Sequence, residues 1–480
     1  MNFSNKIIDS KSSNNTKMMF RDMDNINLTQ RNVNVDRLLL DRNELFNQNS
    51  NQIGEITGEN LNDNNTIRGL PIRSKASREK QPFENNSHMD FDLFDNRPSK
   101  LNVNYYDPSN SSYTSNFSDI STSMTKMSSQ LNPMSICSSK IDKLNNLLFY
   151  YLFDISKYGY IVNGFGLFNL FASLYLSSNG MSEMELGKFF EFPKKNELYE
   201  GLSKIVFQSS KSHSFVCKNF LLIGDDVPYN PNFTNQIKDF CTVIRLNTQN
   251  PVYESNKANN VIKRMLNCDM KAMVTPENLH KLQLMLLTTG VFHPIWKKQF
   301  DNITNGIFHF ENGNEQMNFL HSIGQSYSYF ENSEHRILEL KTIDDIGVGF
   351  ILHNNKIKCD IDHLKIHFYI ENMKEHYIDE LKIPMISQNF KLRFNNTLQN
   401  LGISSIFIKM ISPEFFPENI SLQDVVQNVK VIFDNTYKQT KQMDNEKKYK
   451  SSIKFIVNNP FIFYFRSIKT NTILSMGFYN

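Results

Sequence analysis

Residues 158–182, YGYIVNGFGLFNLFASLYLSSNGMS, contain no charged side chain. A chain carrying such a run has two ways to hide it. About 20 apolar residues in a row are enough to cross a bilayer as a helix. Alternatively, the run is buried in the core of a large domain. Its own interior decides between the two. Asn163, Gly164, Gly166 and Asn169 interrupt it, and its bulk is aromatic rather than Leu-rich. It divides at Asn163-Gly164 into a β-type half, YGYIV, and a helical half beginning near Phe165. The reading is a buried strand followed by a buried helix, with no membrane partner. Such a pair needs a large core around it, and 39 Phe with 12% aromatic residues are ample for one.

The front of the chain does not contribute to that core. Residues 1–138 are rich in Asn, Ser and charged residues, as in SKSSNNTK and DPSNSSYTSNFSD, and their apolar residues follow no period of 2 or 3.6. Such a segment cannot bury enough surface to offset its ordering entropy. It is expected to be a disordered tail, with the short run VDRLLLDRNELFNQ (35–48) able to become helical on a partner. Residues 139–480 are expected to form one domain.

Charge and cysteine usage narrow the classes further. A net charge of +3 does not point to nucleic acid or an anionic membrane as the main partner. Cys137, Cys217, Cys241, Cys268 and Cys359 are odd in number and widely spaced, which is no disulfide framework. The first residues, MNFSNKIIDSKSS, lack the apolar core of a secretory leader. Both features favour a cytoplasmic setting. Cys359, His363 and His367 recur at a spacing of four, which on a helix would put them on one face. No fourth zinc ligand accompanies them, so no metal site is assigned. No G-x-S-x-G, Walker loop or H-E-x-x-H occurs, and neither catalysis nor a cofactor is expected.

Within 139–480 the elements alternate irregularly. KIDKLNNLLFYYLFDIS places Ile141, Leu144, Leu148, Tyr151 and Leu152 on one helical stripe. Ser182 with Glu185 three residues on reads as a capping box. KNFLLIG, TVIRLN and KLQLMLLTTGVFH read as strands, and SNKANNVIKRMLNCDMKAMV as a helix. IFHFENGNEQMNFLHS reads as a hairpin turning at Asn312-Gly313. HLKIHFYIENMKEHYIDEL is a further helix candidate, and NVKVIF, SIKFIV, PFIFYFRS and TILSMGFYN are strand-like. Helices dominate early and strands late, without βαβ alternation, so the class is α+β.

The C-terminal run resembles the closing signature of the serpins, the serine protease inhibitor family. It carries Asn458, Asn459, Pro460, Phe461, Ile462, Phe463, Tyr464, Phe465 and Arg466, then Ile473, Leu474 and Gly477. Asn459 departs from the basic residue usual there. The lone Trp296 with Phe300 and Asp301 is similar to another serpin block. So are Phe308, Gly313, Gly324, Tyr329, Leu338, Glu339 and Leu340, followed by LGISSIF (401–407) and LQDVVQN (422–428). These blocks run collinearly over about 139–480. The resemblance implies a serpin fold: helices around a large central sheet, smaller sheets beside it, and an exposed reactive-centre-like loop. It also implies a monomer whose partner is a serine protease, usually in an extracellular role.

By that resemblance the loop is residues 434–455, which include DNTYKQTKQMDNEKKYKSS. A protease cleaves it, and the freed segment enters the central sheet as a new strand. Lys447, Lys448 and Lys450 are the scissile candidates, which implies trypsin-like cleavage. Inhibitory relatives begin the hinge with Gly and continue with small neutral residues. Here the matching positions are Tyr437, Lys438, Gln439 and Thr440. One register turns Lys438, Thr440, Gln442 and Asp444 inward; the other turns Tyr437, Gln439, Lys441 and Met443 inward. Either buries a lysine, so inhibition is expected to be weak or substrate-like. The alternative is a non-inhibitory serpin fold acting as a binding or chaperone-like module. The region that opens the sheet departs from the family as well, with Thr288 and Thr289 for Asn-Ala, Gln427 for His, and Asn163, Gly164 and Gly166 for Ser-Pro-x-Ser.

Overall fold

The computed structural model describes residues 132–155, 159–354, 365–435 and 452–480, all of which fall in one compact unit. Helix α1 (Pro133–Ile155) starts with proline at its first turn, where the missing N–H costs nothing. Asn132 starts it, its side-chain oxygen accepting from the Met134 N–H at 3.1 Å. Cys137, Ile141, Leu144, Leu148 and Leu152 form its buried stripe. Helix α4 (Lys195–Ser209) crosses it at Gly201, where an added Cβ would sit 2.2 Å from the Pro133 carbonyl oxygen. Only glycine lets the two backbones approach so closely.

The charge-free run folds as read. It forms strand β1 (Tyr160–Val162) and helix α2 (Gly164–Ser177). Every α2 residue except Leu176 is buried, as suits a helix apolar on all sides. Among the described residues, no helix is long and apolar enough to cross a membrane. Helix α3 (Gly180–Phe190) corrects the capping-box reading. Its N-cap is Asn179, and Ser182 lies inside the helix with its hydroxyl accepting from the Ile411 N–H at 2.8 Å. Glu185 turns away to accept from the Ser404 and Ser405 N–H groups, each at 2.9 Å. It thus satisfies the start of a different helix, α9 (Ser405–Ile408). A local motif was recruited by a tertiary contact.

Two sheets organise the rest. The five-stranded sheet is built from β2 (Phe215–Gly224), β3 (Thr242–Leu246), β4 (Leu284–Phe292), β10 (Ile386–Arg393) and β11 (Leu422–Phe433), in the order β10-β11-β4-β2-β3. The nine-stranded sheet runs β1-β14-β13-β8-β7-β6-β9-β12, with β5 also on β6. Its strands are β5 (Asn302–Phe310), β6 (Gly313–Glu331), β7 (His335–Lys341), β8 (Ile346–His353), β9 (Lys374–Pro384), β12 (Lys454–Ile456), β13 (Phe461–Ser467) and β14 (Thr472–Tyr479), besides β1. Strand β4 is buried at all nine positions, as its unbroken apolar run requires. The hairpin between β5 and β6 forms one residue earlier than read, turning at Glu311-Asn312, with Gly313 (φ 150°) opening β6.

Phenylalanine fills the space between the sheets. Phe215 stacks on Phe292 at 4.8 Å, Phe292 meets Phe465 at 4.7 Å, and Phe433 meets Phe350 at 5.5 Å. A second core lies on the other face of the five-stranded sheet. There helix α6 (Pro251–Leu266) sets Ile262 and Leu266 among Phe220, Leu222, Met285, Leu287 and Val426. The described helices and sheets are therefore α+β, as the element order indicated.

The second helix candidate is corrected. Residues 363–381 were read as one helix, but helix α7 (Ile366–Asn372) is short, and β9 begins at Lys374. Pairing with β6 over Lys374–Pro384 overrides helix propensity there. His367 on α7 is committed to Asp142 on α1, Nε2 to Oδ2 at 2.7 Å. The other Asp142 oxygen accepts the Ile473 N–H of β14 at 2.6 Å. Burial pushes the Asp142 carboxyl up, against the pull of His367 and the Ile473 N–H. The hydrogen bond to Asp142 raises His367, outweighing its own burial. A histidine raised on folding adds stability below its unfolded pKa of about 6.5 and loses it as pH rises through the folded value. His367→Gln is therefore expected to lower the urea midpoint most near pH 6. The difference from wild type should shrink at alkaline pH; a constant difference would count against the pairing.

Candidate functional site

Strands β4 and β11 are parallel and directly paired, from Leu422 opposite Leu284 to Val431 opposite Phe292. No strand lies between them. A parallel pair is a slot for a strand antiparallel to both, and what holds it shut sits beneath it. Asn163, the N-cap of α2, reaches both strands. Its backbone N–H donates to Gln427 Oε1 on β11 at 2.7 Å. Its side-chain nitrogen donates to Thr288 Oγ1 on β4 at 3.1 Å, while its oxygen accepts from the Gly166 N–H at 3.1 Å. Gln427 completes the tie by donating to the Ile161 carbonyl at 2.6 Å, and Thr288 donates to Asn219 Oδ1 at 2.8 Å. All of these side chains are buried, so each polar atom depends on its partner rather than on water.

The exit from β11 is also held. Trp296 Nε1 donates to the Asp434 carbonyl at 2.9 Å, and His293 Nε2 lies 2.8 Å from Asp434 Oδ1. Both anchors stand just past the end of β4. The Trp296 ring packs edge-on to Phe300 at 5.7 Å and beside Phe433 at 6.0 Å. Sequence reading singled out Trp296 but missed His293 and Asp434. The only available signal was that Asp434 directly follows the apolar end VIF.

The residues singled out earlier separate into three groups. Tyr437, Lys438, Gln439, Thr440, Lys447, Lys448 and Lys450 lie outside the described residues. So do Cys359 and His363 of the metal candidate; His367 is engaged by Asp142, and no metal-holding group of side chains occurs among the described residues. The C-terminal signature lies in β13, β14 and the Asn458–Pro460 stretch just before β13. Arg466 makes a two-point ion pair with buried Glu339, at 2.7 and 2.8 Å, and Tyr464 donates to the same carboxylate at 3.0 Å. Gly477 is required because a Cβ there would come within 2.3 Å of the Phe463 ring.

Known proteins resemble this chain in sequence and in fold. Residues 159–480 match the family model described as Serpin (serine protease inhibitor). An uncharacterised serpin-like protein of Thermococcus kodakarensis is 25% identical over 247 residues, 48% of this chain, and the match spans 56% of that relative. An uncharacterised serpin-like protein of Acanthamoeba polyphaga mimivirus is 22% identical over 64% of this chain and 81% of its own length. Serine protease inhibitor 2 of Anopheles gambiae is 23% identical over 48% of this chain and 62% of its own length. Among solved structures, native protease nexin-1 with heparin superimposes with a TM-score of 0.66 at 18% identity, over 73% of this chain and all of that one. Mouse protein Z-dependent protease inhibitor gives 0.63 at 16% identity, over 72% and 98%.

Replacing Gln427 by leucine tests the tie beneath the slot. Gln427→Leu orphans the Asn163 N–H and the Ile161 carbonyl, at about 1–3 kcal/mol for each buried group. A lower urea midpoint is expected, and an unchanged one would show that β11 is held elsewhere.

Proposed function

The chain belongs to the serpin family, and from that premise we propose that it offers residues 434–455 as bait to a serine protease with trypsin-like preference. In this reading it acts as a weak, substrate-like inhibitor. The supporting observation is the closed parallel pair of β4 and β11, with Asp434 pinned at its open end. Strand β11 ends at Phe433 in one sheet and β12 begins at Lys454 in the other, so residues 434–453 connect the two sheets. Cleavage within that connection would free a segment attached to β11, beside the slot it would have to enter.

The lining of the slot supports a slow entry. One face of the paired strands is lined by Leu284, Leu286, Val425, Val429 and Val431, the other by Met285, Leu287, Val291 and Val426. Polar relief comes from the Asn163, Thr288 and Gln427 cluster, whose groups already bond one another and the Ile161 carbonyl. A lysine turned inward at position 438 or 441 meets hydrocarbon. An unpaired buried charge costs several kcal/mol, against roughly 0.5–1.5 kcal/mol gained per strand hydrogen bond. Trapping is a race between insertion and hydrolysis of the acyl-enzyme, and a slow strand loses it.

Incubation with trypsin is expected to cut after Lys447, Lys448 or Lys450 and to leave only a minor SDS-stable covalent complex. Combining Tyr437→Gly with Lys438→Thr should raise the fraction trapped as complex. Stoichiometric complex with the unaltered chain would overturn the hinge reading. Absence of any cut between 434 and 455 would overturn the bait reading.

A further inference from the structure

Strand β5 presents a free edge. It pairs with β6 from Asn302 opposite His321 to Phe310 opposite Gly313, and among the described residues with no other strand. Two hydrogen bonds fix which backbone groups point outward. The His309 N–H leaves the hairpin for the Asn458 carbonyl, and the Asn318 carbonyl, opposite Asn305, points to Met385 beyond β9 rather than to β5. Antiparallel partners alternate between bonded and unbonded pairs. The N–H and C=O groups of Ile303, Asn305 and Ile307 therefore face away from β6. Among the described residues no hydrogen bond reaches them. Asn458 takes the next outward donor, so the free run is 303–307 and its midpoint is Asn305.

This edge lacks the usual protection. Strand β5, NITNGIFHF, carries no Lys, Arg, Asp, Glu or Pro over nine residues. Exposed edges of that kind recruit another strand. The remaining edges are blunted: β1 and β12 have three residues each, β3 carries Arg245, and β10 carries Lys391 and Arg393. On β5, Ile303 is 50% exposed and Ile307 is 49% exposed, large apolar side chains held in water on one face of the strand.

The pattern is symmetric about Asn305. A second copy laid antiparallel about that residue puts Ile303 opposite Ile307 of its partner and the reverse, with Asn305 opposite Asn305. Each of the three outward residues then exchanges both its bonds, six in all by the rule for directly opposed bonded pairs. Thr304 falls opposite Gly306, so the other face meets no bulk. A pairing that is self-complementary about a twofold axis closes at two chains and does not propagate. We propose that β5 is a self-association edge, through which two copies of this chain join their sheets in a C2 dimer centred on Asn305. This replaces the monomer expected from the family resemblance and does not depend on the inhibitory reading.

Sedimentation of the full chain over ~1 μM to ~1 mM covers the range in which a small interface of this kind assembles. A concentration-dependent shift from monomer to dimer is expected, and a monomer throughout would overturn the proposal. Asn305→Pro removes an outward N–H and leaves the β6 ladder intact, since proline is tolerated on edge strands; it should weaken dimerisation at least tenfold. Ile303→Lys with Ile307→Lys sets like charges opposite one another and should abolish it. Ile303→Lys with Ile307→Glu sets opposite charges across the same pairs and should restore it. Retention of the dimer in the double-lysine variant, or its loss in the Lys/Glu variant, would exclude this register. Far-ultraviolet circular dichroism of each variant separates a lost interface from a lost fold.

Discussion

Helix α2 is buried at every position but Leu176, and the polar groups at its start have no water to turn to. An N-terminus leaves backbone N–H groups unmatched, and in the interior each unmatched group costs free energy comparable to a lost hydrogen bond. Asn163 meets that demand with every group it has. Its side-chain oxygen caps the helix, its side-chain nitrogen binds β4, and its backbone N–H binds the side chain of Gln427 on β11. The helix can be buried only where those two strands are neighbours. Beneath their direct pairing the strands are fastened a second time, through a residue that the helix places. The closed sheet and the position of its parallel pair both reflect that mutual requirement.

Much of this was legible in the residues. Charge-free sequence with Asn and Gly in its midst indicated a buried strand and helix, because apolar side chains with no compensating charge can only be inside. The unbroken LMLLTTGVF indicated a strand covered on both faces, and β4 is one. Periodicity failed where long-range pairing decided the outcome. Lys374–Pro384 is acceptable as helix or strand, and the ladder with β6 chose strand. Ser182 and Glu185 have the spacing of a cap, yet their partners, Ile411 and Ser404–Ser405, are more than 200 positions away. No local rule reaches that far.

The site was legible in its strands and not in its fastenings. Trp296 stood out as the only tryptophan. His293 and Asp434 are ordinary residues whose meeting depends on β4 and β11 ending side by side. Gln427 was noticed as a departure from the family, but its double role was invisible. A glutamine both accepts from the Asn163 N–H and donates to the Ile161 carbonyl, which a neutral amide can do without carrying charge into the interior.

The order of strands in the larger sheet has a consequence for synthesis. Strand β1 begins the described sheets at Tyr160, and its partner is β14, where Tyr160 faces Phe478. Between them lies nearly all of the folded chain. While the ribosome is still at work, β1 has no neighbour, and Phe350 and its companions on β8 lack β13. The growing polypeptide must carry these greasy, unmatched edges until residues 461–479 emerge. Completion of the sheet therefore waits on residues 461–479, and until then long-range pairing is slow and sticky surfaces stay exposed.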